Sequence, residues 1–143
     1  MTGAVVLLIA LAVAAAVAVA MRIKNGRFAE AAPTADDREH LTAAQIGAPL
    51  GERATMVQFS SAFCSPCRTT RVLLADIASK VPGVVTVDID AEEHLQLVRD
   101  LDIMRTPTVL ILDAAGAVTT RASGLPRREQ VLAALERAVT PRR

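Results

Sequence analysis

The chain has 143 residues, 52% of them hydrophobic and 22% charged, with 16 basic against 15 acidic side chains, no Trp or Tyr, and two Cys. A net charge of +1 removes the electrostatic case for nucleic-acid binding. Two cysteines neither staple a small disulfide-built fold nor supply a four-thiolate zinc site, and a length near about 150 residues suits one domain.

The hydrophobic excess lies in one place. From Met1 to Met21, 19 of 21 positions are apolar and none is charged, which leaves about 45% over the other 122 residues, the ordinary share for a soluble domain. As a helix, about 19 apolar residues span roughly 28 Å, close to a hydrocarbon core of about 30 Å. A retained anchor over residues 1–22 and a cleaved secretory signal both fit. Ala18-Val19-Ala20 has the small-x-small look of a cleavage site, but no Lys or Arg precedes the run and it exceeds the usual signal core, which favours the anchor. Arg22, Lys24 and Arg27 follow it at once, so the positive-inside rule puts the C-terminal portion in the cytoplasm.

Residues 23–40 carry Asn25-Gly26, Pro33 and the cluster Asp36-Asp37-Arg38-Glu39 with no apolar period, and read as a juxtamembrane tether. Patterned sequence begins at Leu41 and runs to 140. Thr42 caps a short helix through Ile46, and Gly47, Pro49 and Gly51 break the chain before a strand at Thr55–Phe59. Cys64-Ser65-Pro66-Cys67 opens a helix with the stripe Leu73, Leu74, Ile77, Ala78 and Val81, stopped by Pro82-Gly83. Val84–Ile89 is a second strand, whose near-continuous apolar and β-branched run suggests cover on both faces.

Ala91–Leu101 reads as a helix with Glu92 and Glu93 in its first turn, which suits the helix dipole. Thr108–Leu112 is a third strand, Asp113–Gly116 a hairpin turn, and Val118–Arg121 a fourth strand. Gly124 and Pro126 precede a last helix with Val131, Leu132, Leu135 and Val139 inward. The order strand, helix, strand, helix, strand, strand, helix argues for an α/β fold, a central mixed sheet with helices on both faces.

The chemistry sits at Cys64-Ser-Pro-Cys67. A helix N-terminus carries partial positive charge and free N–H groups, which favour a thiolate over a thiol and make Cys64 the nucleophile. The second sulfur lies one turn on, within reach for closing a disulfide. Pro66 fits the first turn, where its missing N–H costs nothing. Two other readings compete. Half of a zinc site is one, but His40 and His94 lack ligand spacing to the cysteines; a pair of inert buried thiols is the other.

The run Val57-Gln-Phe-Ser-Ser-Ala-Phe-Cys64-Ser-Pro-Cys67-Arg68, then Val87-Asp-Ile-Asp90, Ile103-Met-Arg-Thr106-Pro107-Thr-Val-Leu, Gly116 and Gly124, resembles thioredoxin over residues 52–139. The resemblance implies the thioredoxin-like fold, attack by Cys64, resolution by Cys67, and a cis proline at Pro107 beside Thr106, where an extended substrate segment pairs. Phe63 and Pro66 then shape the contact surface. The plain reading of Thr106-Pro107 is a proline at the first position of a strand. The short stretch between Cys67 and Pro107 resembles plain thioredoxins rather than the branches that carry insertions there, and so implies reduction of protein disulfides.

Several positions depart from that pattern. Gln58 stands where the family has a buried Asp, and an amide does not titrate. The family's partner Lys falls at Thr86, and its two Trp fall at Phe63 and Ser60. Ser-Pro replaces Gly-Pro between the cysteines. Arg68, just after the motif, would favour the thiolate, although a solvated arginine is as good a reading.

The expectation is a membrane-tethered thiol–disulfide oxidoreductase, single-pass, exchanging with protein thiols and disulfides and recharged by a thiol-based donor. The chain carries no cofactor-binding motif and no metal site, so Cys64–Cys67 itself is the redox group. Two alternatives stand beside it: a thioredoxin-fold adaptor that binds a membrane partner without turnover, motivated by the loss of the Asp and Lys, and an outward-facing thiol oxidase or isomerase, which needs the opposite topology.

Overall fold

The computed structural model describes residues 2–30 and 38–140. In chain order the elements are α1 (Thr2–Lys24), β1 (Phe28–Glu30), α2 (Ala43–Ile46), β2 (Ala54–Ser60), α3 (Ser65–Lys80), β3 (Val84–Asp90), α4 (Leu95–Asp100), β4 (Thr108–Asp113), β5 (Val118–Ser123) and α5 (Arg128–Val139). The strands form one mixed sheet in the order β1-β5-β4-β2-β3, with β2 parallel to β3 and every other neighbouring pair antiparallel. This is the expected α/β architecture.

Alternation along β2 splits its side chains between two cores. Ala54 and Met56 face Leu74 and Ile77 of α3 and Val131, Ala134 and Leu135 of α5. Val57 and Phe59 face the other way, toward Ile46 of α2, Leu101 and Ile103. All seven residues of β2 are buried, as period-two geometry requires of a strand covered on both sides. Asp76 of α3 accepts from Lys80 and from Arg128 of α5, and these two bonds hold its carboxyl below its ordinary value.

Four expectations are corrected. The tether read over 23–40 contains β1, whose Phe28 and Glu30 pair with Ala122 and Thr120 at the sheet edge; an apolar period cannot declare itself in three residues. Its end is bound too: Val118 donates to the Glu39 carbonyl, His40 bridges Ala117, and Glu39 pairs with Arg121. Pro33, Asp36 and Asp37 lie outside the described residues. The strand Val84–Ile89 is an edge strand, and its Val85 is 37% exposed. On that side it meets α4, six residues and about 9 Å long against a strand of about 23 Å, so only its far end, at Ile89, is fully covered.

The helix expected from Ala91 begins at Leu95. The Asp90 carboxylate accepts from the Glu92 N–H two residues on, and this local turn holds Glu92 and Glu93 outside the helix. In α5 the inner face is Val131, Ala134, Leu135 and Ala138, whereas Leu132 is 42% exposed. Small Ala residues at 134 and 138, at i and i+4 on that face, let the helix lie close to the sheet with Leu132 turned outward.

The packing predicts a contrast in urea unfolding. Leu74→Ala, at a site with no exposed surface, should cost about 3 kcal/mol, and Leu132→Ala less than about 1 kcal/mol.

Candidate active site

The C-terminal end of β2 hands the chain directly to α3. Ser60 ends the strand, and Cys64 stands at the N-cap of α3 with extended dihedrals and makes no side-chain cap bond. Ser65 and Pro66 begin the helix, so the proline sits in the first turn without costing a hydrogen bond. Cys67 N–H donates to the Cys64 carbonyl at 3.2 Å, and the two cysteines form a disulfide with Cα atoms 5.3 Å apart.

The two sulfur-bearing residues differ in access. Cys67 is 2% exposed, under the first turn of α3, whereas Cys64 is half-buried at the surface beside the fully exposed Phe63. A group that must meet an outside partner belongs at the accessible position, and a group that acts only on its neighbour can be covered. The geometry leaves Cys64 open to an outside partner and Cys67 covered.

Across from the cysteines, the Thr106–Pro107 peptide is cis. Ser61 and Thr106 share a hydroxyl hydrogen bond of 3.0 Å, which holds the loop of the cis proline against the loop that carries Cys64. Pro107 is buried, and its carbonyl accepts from Gly124 N–H at 2.7 Å. Gly124 has φ +94°, which L side chains seldom adopt, and this lets the chain turn sharply away from the proline. The reading of Pro107 as a simple strand opener is set aside in favour of the cis proline.

Gln58 is 1% exposed, and its Nε2 donates to the Cys67 carbonyl at 2.8 Å. Its Oε1 is buried without a protein partner. The amide thus braces the backbone of Cys67. Arg68 is exposed and lines the same groove as Cys64, with no carboxylate partner among the described residues. Of the residues singled out in the sequence, Phe63, Cys64, Pro66, Cys67, Thr106 and Pro107 gather at one end of the sheet. Gln58 lies beneath them.

Sequence reasoning missed a polar network beside the cysteines. Ser60 donates to the Asp88 carboxylate at 2.8 Å, and Arg71 of α3 pairs with the same carboxylate. Ser60, at a position where the resemblance places a Trp, thereby joins β2, β3 and α3. The missing signal was register: Gln58 lies opposite Asp88, and only strand pairing reveals it. The network forms one wall of a groove of about 910 Å³ that runs from Cys64 past Asp90 to His94.

A mixed sheet with helices on both faces, an exposed cysteine and a covered one at a helix start, and a cis proline opposite them define a domain built around a redox disulfide. The family model described as Thioredoxin matches residues 38–137, and the chain belongs to the thioredoxin family. Among curated relatives, it is 33% identical over 60 residues to Thioredoxin H5 of Oryza sativa subsp. japonica, covering 42% of this chain and 44% of that one. It is 40% identical over 58 residues to human Thioredoxin domain-containing protein 2, covering 41% of this chain and 10% of that one. The chain thus spans less than half the length of these relatives.

The fold is shared with solved structures. A mutant thioredoxin from Halobacterium salinarum superposes with TM-score 0.57 at 16% identity, covering 64% of this chain and 80% of that one. Thioredoxin f from spinach chloroplast gives 0.55 at 22%, covering 63% and 80%.

The burial of Gln58 makes a prediction about pH. Desolvation would push the carboxyl of a Gln58→Asp variant above its ordinary value of about 4. A folded-state pKa raised above the unfolded one means that stability is lost as pH climbs between the two, at about 1.4 kcal/mol per pH unit. Urea unfolding followed from acid to neutral pH should show that decline in the variant beyond any slope of the parent; matching slopes would mean that water reaches position 58.

Proposed function

We propose that the protein is a membrane-tethered protein-disulfide reductase that cycles Cys64–Cys67 between dithiol and disulfide. The observation that carries this reading is the asymmetric pair, Cys64 accessible and Cys67 covered, facing the cis Thr106–Pro107 loop. Reduced Cys64, as thiolate, attacks one sulfur of a client disulfide. The client S–S bond breaks, a mixed disulfide forms, and the departing client thiolate takes up a proton. Cys67 then gives up its proton and attacks the Cys64 sulfur, releasing the second client thiolate. Two electrons have moved from the dithiol to the client, and a thiol-based donor returns them.

Gln58 cannot take the Cys67 proton, and among the described residues no carboxylate is hydrogen-bonded to Cys67. The Cys67 proton therefore leaves to solvent or to a client group. The Phe63 ring, 99% exposed, offers clients an apolar contact, and the cis-proline loop offers backbone for pairing with an extended segment.

Tethering rests on α1. Its 23 residues have a mean hydropathy of 3.0 in their most apolar stretch and none is buried, so the protein offers no internal cover for that surface. As a helix it reaches about 34 Å, enough to cross a bilayer. Arg22, Lys24 and Arg27 at its end favour a cytoplasmic domain. The adaptor reading is favoured by one observation, the non-titrating amide at Gln58 behind the site.

Insulin-disulfide reduction tests the activity directly. Cys64→Ser should bring it to background, and an unchanged rate would end the reductase reading. Cys67→Ser should accumulate mixed disulfides with client proteins, visible on non-reducing gels; an adaptor without turnover would accumulate none.

A further inference from the structure

The sheet register fixes where the anchor joins the domain. β2 ends toward Cys64, and β4, antiparallel to it, begins at that end, with Thr108 opposite Phe59. β5 runs back antiparallel to β4, with Ser123 opposite Thr108, and β1 starts there, with Phe28 opposite Ala122. The chain therefore enters the domain from α1 at the same end of the sheet as the cysteines. Three strand spacings separate β1 from β2, which sets the entry point and the redox end about 14 Å apart across the sheet.

The junction is bonded to the loops of the site. Gly26 N–H donates to the Ser123 carbonyl at 2.6 Å, and Arg105, next to Thr106, donates to Asn25 Oδ1 and to the Ser123 carbonyl. Gly26 is buried with φ +73°, and a Cβ there would collide with the Leu125 carbonyl, so the anchor's end packs directly on the segment that follows Gly124. Only Asn25, Gly26 and Arg27 lie between the helix and β1, leaving no slack for the domain to stand away from the bilayer. Outside α1, the two most exposed large apolar side chains among the described residues are Phe63 at 99% and Met104 at 86%, and both belong to loops at this end. Loss of so much apolar cover at one end of a domain marks a contact surface.

We infer that the Cys64 end of the domain faces the membrane, and that its substrates are disulfides of membrane-embedded proteins lying close to the bilayer surface. The inference rests on the proposed anchoring and reductase readings and deepens both. The chemistry is the exchange already written, with the pre-reduced Cys64–Cys67 dithiol as the source of both electrons; what the fold adds is confinement. A client disulfide in the same thin layer as Cys64 meets it at a high effective concentration, and a disulfide held far above the bilayer does not.

The test uses the full chain, reduced and freed of reductant, in phosphatidylcholine/phosphatidylglycerol vesicles, with a transmembrane peptide carrying one mixed disulfide with thionitrobenzoate. The disulfide sits either next to the last apolar residue or beyond a flexible Gly/Ser spacer of about 20 residues, about 25 Å in mean reach. The near disulfide should release thionitrobenzoate about tenfold faster than the distant one. Inserting a Gly/Ser linker of about 20 residues between Lys24 and Asn25 should bring the ratio close to one while leaving reaction with a soluble disulfide unchanged, which also shows that the variant is folded. Equal rates in the parent protein, or a ratio indifferent to the linker, overturn the inference. Flotation separates the failures: protein that does not float with the vesicles overturns the anchoring and the inference with it, and protein that floats but reacts with no disulfide, soluble ones included, overturns the reductase reading.

Discussion

The junction between β2 and α3 governs the rest of the site. β2 is buried along its whole length, so its direction and height are set by two cores at once. α3 is pinned to the same strand by Leu74 and Ile77. The turn between them has no freedom to wander, and the N-cap of α3 arrives at the end of the sheet, where Cys64 occupies it. From that placement the division of labour follows: a residue at the cap is open to partners, and a residue three positions on is turned under the helix onto the sheet. The Gln58 amide holds the Cys67 carbonyl from below, and the Ser61–Thr106 bond brings the cis-proline loop to the open side.

Most of this domain was legible in the sequence because it depends on local signals. Cys-x-x-Cys followed by a helical stripe, the Thr-Pro ahead of an apolar strand, and Asp-Ala-Ala-Gly between two strands each carry their own mechanism, and the structure places them as read. The errors share a cause. Val84–Ile89 reads as covered on both faces because its run of β-branched residues is nearly continuous, yet α4 is too short to cover the strand along its length. Leu132 reads as core because the apolar period is satisfied with or without it, and only the close approach allowed by Ala134 and Ala138 turns it out.

Contacts between distant segments were invisible for a different reason. Phe28–Glu30 is too short to show a period, yet its pairing with β5 converts an apparent tether into the sheet's edge. The Ser60–Asp88–Arg71 network needs the parallel register of β2 and β3 before its members can be seen together. Asn25 and Arg105 are 80 residues apart in the chain. Each of these joins the redox end of the domain to its surroundings, so what the sequence hides is mainly how the site is mounted, while the reacting groups themselves are plain.

Two substitutions relative to thioredoxin act together in this account. With Gln at 58 and Thr at 86, neither member of the ionisable pair that the resemblance implies is present, and the ion pair beside the cysteines is Asp88–Arg71. The Gln58 amide bonds to the Cys67 backbone and carries no titrating proton. The proposed exchange depends on the contrast between an accessible Cys64 and a covered Cys67. Alkylation of the reduced full-length protein with substoichiometric iodoacetamide at neutral pH, followed by peptide mass spectrometry, measures that contrast directly. Label is expected on Cys64 with Cys67 essentially unmodified; equal labelling of the two, or preferential labelling of Cys67, would contradict the proposed roles.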